Sequence, residues 1–236
     1  MYSLDYKVTV SMCDADGRLK LFSALQMMQD CSELWKTSEP VYDQYFTENG
    51  MAQLLASRQV EVVRVPQYKE NLKVTTSVFD INPMFGFRNT FIYDANGQPC
   101  YKSWSTGAFV KLDTGKLNKI SDELVASFNR EPKLEMNYAD RRIIVPKINP
   151  TSTVSYIVQR NDIDYNRHMN NANYIRMAME LLAEGIEVKG LRVEYRVPAK
   201  LGDMLVPTVF HNDDSVIISM AIGNEVCAIM EFIKQQ

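Results

Sequence analysis

The stretch YIVQRNDIDYNRHMNNANYIRMAMELL, residues 156–182, decides how the rest of the sequence is interpreted. It opens with the alternation of a strand, passes through a polar run rich in Asp and Asn, and continues with apolar residues at helical spacing. This pattern predicts a helix from about Asn171 to Ala183. Nearly the whole circumference of that helix is apolar, so we expect a sheet to enclose it.

The same order of strand, Asp-x-Asp and helix occurs earlier, in VTVSMCDADGRLKLFSALQMMQDCSELW from Val8. Asp14 and Asp16 align with Asp162 and Asp164 at an offset of 148, the difference between 162 and 14. Downstream, an Arg-Val-Pro triplet recurs in the same order in both halves. These matches indicate an internal repeat, and a repeated unit predicts a repeated fold.

Each half is predicted to form one strand, one helix and then several long strands. The first helix is predicted from about Leu21 to Trp35, with a second short helix at about 41–46. Strands are predicted at about 53–65, 72–80, 87–93 and 101–112 in the first half, and at 191–197, 204–210, 216–221 and 226–233 in the second. A long helix wrapped by a curved antiparallel sheet, occurring twice, is the α+β arrangement called a tandem double hotdog. The predicted boundaries are a first domain at 1–130, a linker at 131–150 and a second domain at 151–236.

Composition limits the classes of function. The 236 residues carry a net charge of -3 with both signs spread along the chain, which argues against a nucleic-acid partner. No apolar run reaches the roughly 20 residues of a membrane span, and the first residues lack a signal-peptide pattern, so we predict a cytoplasmic protein without membrane insertion. The four cysteines are scattered without metal-ligand spacing and are predicted to be core thiols.

The polar run before the second helix is the candidate site. If the chain is extended there, the side chains of Asp164, Asn166 and His168 project on one side. Imidazole suits the removal of a proton from water, a carboxylate can orient it or attack directly, and an amide can hold a substrate oxygen. Asn170 or Asn171 can cap the helix, whose first N–H groups could stabilise an oxyanion. The alternative without catalysis is a polar turn that only caps the helix.

The repeat indicates which half is catalytic. An offset of 148 puts Arg18 opposite Asn166 and Lys20 opposite His168. The first half then retains the acid and lacks the base, so the second half is predicted to carry the chemistry.

At this level of detail the sequence resembles the acyl-acyl carrier protein thioesterases of plant plastids and their bacterial relatives. The run Asp-x-Asp-x-Asn-x-His-x-Asn-Asn at 162–171 is similar to that family's signature, and VEYRVP from Val193 is similar to its next strand. In the first half, RQVEVVRVPQY from Arg58, FGFRNTFIYD from Phe85 and SWSTGAFVKLDTGKLNKISDEL from Ser103 resemble successive family strands and the helix after them.

The resemblance implies a first hotdog domain that shapes the acyl pocket without catalysing and a second that is catalytic. It implies Asp164, Asn166 and His168 as the catalytic set, which would release free fatty acid from acyl carrier protein thioesters without a cofactor. Plant members place Glu and Cys shortly after their Glu-Tyr-Arg, whereas here Glu194-Tyr195-Arg196 is followed by Val-Pro-Ala-Lys. A Cys nucleophile at that place is excluded, which leaves water activated by His168 or attack by Asp164 through an anhydride.

Three other functions stay open on the sequence: a coenzyme A thioesterase, a hydratase, and an acyl-binding module without activity. Phe22, Met28, Met84 and Phe85 are the candidates for lining an acyl pocket. An acidic carrier protein calls for a local basic patch, and two groups of residues are candidates: Arg141, Arg142 and Lys147, or Lys111, Lys116 and Lys119. Two hotdogs in one chain are compatible with a monomer or a homodimer.

Overall fold

The computed structural model describes residues 1–147 and 150–235 of the chain. Its α-helices are α1 (Leu21–Thr37), α2 (Pro40–Glu48), α3 (Asp122–Ser127) and α4 (Asn171–Met179). Its strands are β1 (Tyr2–Lys7), β2 (Met51–Val62), β3 (Asn71–Ile81), β4 (Phe85–Asp94), β5 (Pro99–Lys111), β6 (Thr151–Ser152), β7 (Tyr156–Ile157), β8 (Val188–Tyr195), β9 (Met204–His211), β10 (Ser215–Ile222) and β11 (Glu225–Lys234). Among the residues described, no helix has the length and apolar character that a membrane span requires.

The chain divides into two compact units. The first comprises Met1–Ala56 and Val60–Tyr138, and the second comprises Ser57–Gln59 and Ala139–Gln236. Residues 148 and 149 of the predicted linker lie outside the described residues. The earlier part of that linker is anchored to the first unit, because the Tyr138 hydroxyl hydrogen-bonds to the fully buried Asn89 side chain.

The first unit packs α1 against an antiparallel sheet, as predicted. Its strands lie in the order β1-β3-β4-β5-β2, and α1 contacts β1, β3 and β4. Leu25, Met28 and Cys31 lie on the buried stripe of α1 at helical spacing. Pro40 begins α2 at a position where its missing N–H costs nothing. Aromatic residues from both helices, including Trp35, Tyr42 and Phe46, form one apolar cluster.

One glycine pair in this sheet leaves space for a polar side chain. Gly86 on β4 lies opposite Gly107 on β5. The Gln53 side chain crosses both glycines, and its Oε1 accepts a hydrogen bond from the Tyr42 hydroxyl at 2.9 Å. A Cβ atom at either glycine would collide with Gln53, which explains why two glycines interrupt otherwise well-formed strands.

The second unit repeats the arrangement with a shorter helix. Its strands lie in the order β8-β11-β10-β9-β6, β7 pairs with β9, and α4 packs against β11. The predicted helix to Ala183 is wrong at its end, since α4 stops at Met179. The N–H groups of Leu181 and Leu182 each donate to a carbonyl three residues earlier, so the chain leaves the helix through tight turns. Apolar residues continue through these turns, which is why their spacing suggested a longer helix.

Candidate active site

The candidate residues lie in a tight hairpin, so the extended chain on which the sequence argument was conditional is not present. The N–H of Arg167 donates to the Asp164 carbonyl at 3.0 Å, and the N–H of Asp164 donates to the His168 carbonyl at 3.0 Å. Ile163 and Met169 form the antiparallel bridge that closes the hairpin. The Asp164 carboxylate favours this turn because its Oδ1 accepts the N–H of Asn166 at 2.9 Å.

The hairpin brings Asp164 and His168 together through pairing across the turn and not through alternation along an extended chain. Asp164 and His168 are neighbours across the turn, and side chains at such positions lie on the same face. Both are half-buried, whereas Asn166 is exposed at the tip. Among the residues that the structure describes, none hydrogen-bonds to the imidazole of His168 or to the side-chain amide of Asn166. Both groups are therefore available to a bound substrate.

The first unit contains the same hairpin, and its hydrogen bonds correct the predicted repeat. The Asp14 N–H donates to the Arg18 carbonyl at 2.8 Å, and the Asp14 Oδ1 accepts the N–H of Asp16 at 3.0 Å. Asp14 thus matches Asp164, an offset of 150, the difference between 164 and 14. The offset of 148 is wrong because it matched Asp14 to Asp162, which lies before the hairpin.

The corrected offset changes the residues that stand opposite the site. His168 corresponds to Arg18 and Asn166 corresponds to Asp16, so Lys20 is not the counterpart of the histidine. The Arg18 Nε lies 3.4 Å from the Asp14 Oδ2. The cross-turn position that His168 takes in the second hairpin is taken in the first by Arg18, which pairs with Asp14.

The start of α4 lies directly after the hairpin. Asn170 is its N-cap, and its side-chain oxygen accepts the N–H of Ala172 at 2.9 Å, which decides between the two predicted caps. Asn171 is the first helical residue, and its carbonyl accepts the Tyr195 hydroxyl at 3.1 Å. The Tyr174 hydroxyl accepts the N–H of Ala199 at 2.9 Å. These bonds hold the first turn of α4 in contact with the end of β8 and with the segment that follows it.

A buried network of hydrogen bonds and one ion pair surrounds Asp162, just before the hairpin. The sequence reasoning did not predict it. The Asp162 side chain is 4% exposed, and its Oδ1 accepts the Arg176 guanidinium at 2.9 Å. Its Oδ2 accepts the Tyr156 hydroxyl and the N–H of Gln159, each at 2.8 Å. The Asn173 amide donates to the Asp162 carbonyl at 3.1 Å. The signal in the sequence was Arg176, a lone basic residue in an apolar helix.

The counterparts of this network in the first unit cannot form it. At an offset of 150, Met12 stands for Asp162 and Gln26 stands for Arg176. The first hairpin has only the exposed Arg18–Asp14 pair, so this hairpin can fold without the buried Asp162–Arg176 ion pair that adjoins the second copy.

The remaining candidates lie in the first unit. Phe22 and the fully buried Met28 are on α1, whereas Met84 lies in the turn between β3 and β4 and Phe85 is the first residue of β4. The Asn82 side chain holds that turn by accepting the N–H groups of Met84 and Phe85, each at 2.9 Å. Their joint contribution to one acyl pocket stays a prediction.

The cysteines are all buried and free, which confirms the prediction of core thiols. Burial raises the pKa of Cys31 and of Cys227 to about 11. In the part of the chain that the structure describes, no group of three or more His, Cys, Asp or Glu could hold a metal ion. Residues 196–203, between β8 and β9, include no cysteine. The Glu194 carboxylate contacts the Arg196 Nε at 3.3 Å and accepts the N–H of Ile143 at 3.3 Å.

Comparison with known protein families agrees with this organisation. Residues 1–128 match the acyl-ACP thioesterase N-terminal domain, and residues 146–225 match the acyl-ACP thioesterase C-terminal domain. The chain belongs to the acyl-ACP thioesterase family. The predicted resemblance and the tandem double hotdog fold are thereby confirmed.

Relatives in the acyl-ACP thioesterase family include plant and bacterial proteins. The chloroplastic acyl-[acyl-carrier-protein] hydrolase FATB2 of Cuphea viscosissima is 30% identical over 159 residues, which cover 61% of this chain and 37% of the relative. Oleoyl-acyl carrier protein thioesterase 2 of Arabidopsis thaliana, also chloroplastic, is 22% identical over 205 residues, covering 75% of this chain and 55% of the relative. The chain thus spans between 37% and 55% of the length of these two curated relatives. An acyl-ACP thioesterase structure from Bacteroides thetaiotaomicron has the same fold, with a TM-score of 0.88 at 18% identity, covering 99% of this chain and 97% of that one.

Proposed function

We propose that this chain hydrolyses fatty acyl thioesters of acyl carrier protein and releases the free fatty acid and the carrier thiol. The observation that carries the proposal is the cross-turn pair of Asp164 and His168 beside the N-terminus of α4. Membership of the acyl-ACP thioesterase family supports the same reaction. The first unit lacks a histidine in its hairpin, which supports a division of roles in which the second unit carries the chemistry.

In the first of two mechanisms, His168 acts as general base. The imidazole takes a proton from water while the water oxygen bonds to the thioester carbonyl carbon. The resulting oxyanion accepts hydrogen bonds from the Asn166 amide or from backbone N–H groups where α4 begins, after Asn170. The C–S bond then breaks, and the imidazolium returns the proton to the leaving thiolate.

In the second mechanism, the Asp164 carboxylate attacks the carbonyl carbon. The thiolate leaves with a proton from the His168 imidazolium, and a mixed anhydride remains on Asp164 until water hydrolyses it. The attacking oxygen is proposed to be the Asp164 Oδ2, because the Oδ1 already accepts the N–H of Asn166. Single turnover in heavy-oxygen water tests the second mechanism: label appears in Asp164 if the carboxylate attacks and water then hydrolyses the anhydride at the aspartyl carbon, whereas water activated by His168 labels only the fatty acid.

The site assignment is tested by matched substitutions in the two hairpins. His168→Ala is expected to reduce kcat about 100-fold or more, since general bases contribute about that much. Arg18→Ala changes the equivalent position in the first unit and is expected to retain turnover. The assignment is wrong if His168→Ala keeps nearly the wild-type rate.

The identity of the carrier is tested with one acyl chain on two carriers. We expect the acyl carrier protein thioester to be hydrolysed with a higher kcat/KM than the coenzyme A thioester. A preference for coenzyme A would support the alternative thioesterase, and retained acyl binding without turnover of either would identify a non-catalytic module.

Chain-length preference is proposed to depend on the first unit. Phe22, Met28, Met84 and Phe85 are the proposed lining residues, and replacing Met28 or Phe22 by a larger or smaller side chain should shift the distribution of released acids. An unchanged distribution would count against this pocket. A cytoplasmic location and a monomeric or homodimeric state complete the proposal.

A further inference from the structure

Arg167, the residue before His168, has a backbone conformation that arginine rarely adopts. Its φ is 64°, in the left-handed region where a Cβ atom crowds the backbone. Its counterpart in the first hairpin is Gly17, with a φ of 75°. The hairpin can thus be built with glycine, and the second unit carries an arginine in spite of the strain. Strained residues of this kind concentrate at functional sites, so the side chain itself calls for a role.

The Arg167 side chain has no role inside the protein that would explain the strain. It is exposed, and among residues 1–147 and 150–235 no group forms a hydrogen bond, ion pair or ring contact with it. Lys69, the other non-glycine residue with a positive φ in the described part of the chain, differs because its Nζ lies 5.1 Å from the centre of the Tyr68 ring. Arg167 is a cation held at the tip of the hairpin and facing solvent.

Two more cations lie on segments that are hydrogen-bonded to this hairpin. Arg160 precedes it, and the Ile163 N–H donates to the Arg160 carbonyl at 3.3 Å. Lys200 follows Ala199, whose carbonyl accepts the Met169 N–H at 2.8 Å. The side chains of Arg160 and Lys200 are exposed and make no ion pair with any described residue. We call Arg160, Arg167 and Lys200 the cationic rim.

The counterparts of the cationic rim in the first unit are uncharged. Val10 and Gly17 stand at an offset of 150 from Arg160 and Arg167. Gln67 matches Lys200, because the N–H of each donates to the carboxylate three residues later at 2.7 Å.

The acidic residues on the segments of the cationic rim are largely occupied. The carboxylate of Asp162 is buried and paired with Arg176. Asp164 and Asp203 each accept a backbone N–H, from Asn166 and from Lys200. Asp164 and Asp203 keep their negative charge but are half-buried, whereas Arg160, Arg167 and Lys200 are exposed, so the exposed charged side chains of these segments are positive. Leu201, beside Lys200, is 56% exposed and adds an apolar contact of the kind found within polar interfaces.

We propose that the cationic rim, together with Leu201, is the docking surface for the acidic carrier protein that delivers the acyl chain. This inference rests on the proposed function. The whole chain has a net charge of -3, so an acidic partner needs a local positive surface to approach productively. Arg167 adjoins His168 in the chain, so the same hairpin that receives the carrier would hold the base that acts on its thioester. Each basic group predicted from the sequence contains one cation that already has a partner inside the protein: the Lys111 Nζ donates to the Asn49 carbonyl at 2.6 Å, and Arg141 has a partner.

Binding tests this surface independently of turnover. Acyl carrier protein carrying a dodecanoyl chain is titrated against the His168→Ala variant, and the same titration is repeated with Arg167→Glu added. We expect Kd to rise about fivefold, as for the loss of a rim charge pair, and the difference to shrink as salt rises. Lys189→Glu makes the same change in net charge at an exposed residue of β8 and is expected to leave Kd unchanged.

Kinetics then identify the part of the substrate that the rim contacts. The ratio of kcat/KM for the acyl carrier protein thioester to kcat/KM for the acyl pantetheine thioester should fall about fivefold in Arg167→Glu. Equal loss on both substrates would overturn docking, because pantetheine carries no protein. Equal weakening by Lys189→Glu, or an unchanged Kd in Arg167→Glu, would also overturn it. A wild-type chain that binds the carrier through the rim but hydrolyses neither thioester would refute the proposed function and leave the docking surface standing.

Discussion

Arg176→Gln is expected to destabilise the second unit, because it removes the cation that compensates a buried carboxylate. The Asp162 side chain is 4% exposed and the Arg176 side chain 38% exposed, and the two charged groups lie 2.9 Å apart. Glutamine is the residue at the corresponding position of the first unit, Gln26, so the substitution is compatible with a helix at this place.

The magnitude follows from the exposure of the two partners. Breaking a fully buried ion pair costs about 3–5 kcal/mol, and an exposed one contributes about 1 kcal/mol or less. Asp162 keeps two donors, the Tyr156 hydroxyl and the Gln159 N–H, and Arg176 partly faces water. We therefore expect a loss of about 2–3 kcal/mol, which lowers Tm by about 4–12 °C in a chain of this size.

The assay must report on the second unit. Both tryptophans, Trp35 and Trp104, lie in the first unit, so their fluorescence follows that unit. Hydrogen exchange in a peptide covering 156–182 follows the network directly, and urea titration by circular dichroism gives the free energy of unfolding.

A double variant decides whether the ion pair is the cause. Asp162→Met with Arg176→Gln installs the pair of residues found in the first unit, Met12 and Gln26. With no buried charge left unpaired, the double variant should lose at least about 1 kcal/mol less than the sum of the two single losses. Strict additivity of the two losses would refute the reasoning.

Three further predictions concern other parts of the chain. Arg167→Gly removes the left-handed strain and should raise the free energy of unfolding by up to about 1 kcal/mol; a lower urea midpoint would contradict this. Gly107→Ala should cost about 1–3 kcal/mol because the new methyl group meets the Gln53 side chain, and adding Gln53→Ala should recover most of the loss, again by urea titration. Cys31 and Cys227, each with its pKa raised to about 11, should stay protonated at pH 8 and resist a thiol reagent until denaturant is added; fast labelling of the folded chain would be the contrary result.

Much of the fold could be predicted because its signals are local. The α1 helix follows from apolar residues at helical spacing, and the hairpin between β4 and β5 follows from Asn96-Gly97, where the glycine has a φ of 77°. The end of α4 could not be predicted in this way, since Leu181 and Leu182 continue the apolar pattern into turns that only backbone hydrogen bonds define.

The candidate site was predicted by residue type but not by geometry. The argument from alternating side chains requires an extended chain at Asp164. In the structure the Asn166 N–H donates to the Asp164 carboxylate, and the chain forms a turn there. The repeat was placed two residues out of register because Asp162 and Asp164 reproduce the spacing of Asp14 and Asp16. Only the hydrogen bonds of the structure distinguish Asp164, which forms the turn, from Asp162, which pairs with Arg176.

The corrected register changes what the presence of an aspartate implies. Asp14 and Asp164 both hold their hairpins through the same backbone bonds, so an aspartate at this position has a structural role whether or not it takes part in chemistry. Asparagine keeps the accepting oxygen and removes the charge, so Asp14→Asn and Asp164→Asn should each cost about 1 kcal/mol or less in unfolding experiments.

Turnover separates the two roles. If the Asp164 carboxylate orients His168 or attacks the thioester, Asp164→Asn should lower kcat about 100-fold, whereas Asp14→Asn should retain the wild-type kcat. Equal and small effects of both substitutions on kcat would restrict Asp164 to the turn. His168 and Asn166, which the first hairpin replaces by Arg18 and Asp16, would then carry the reaction without a carboxylate partner.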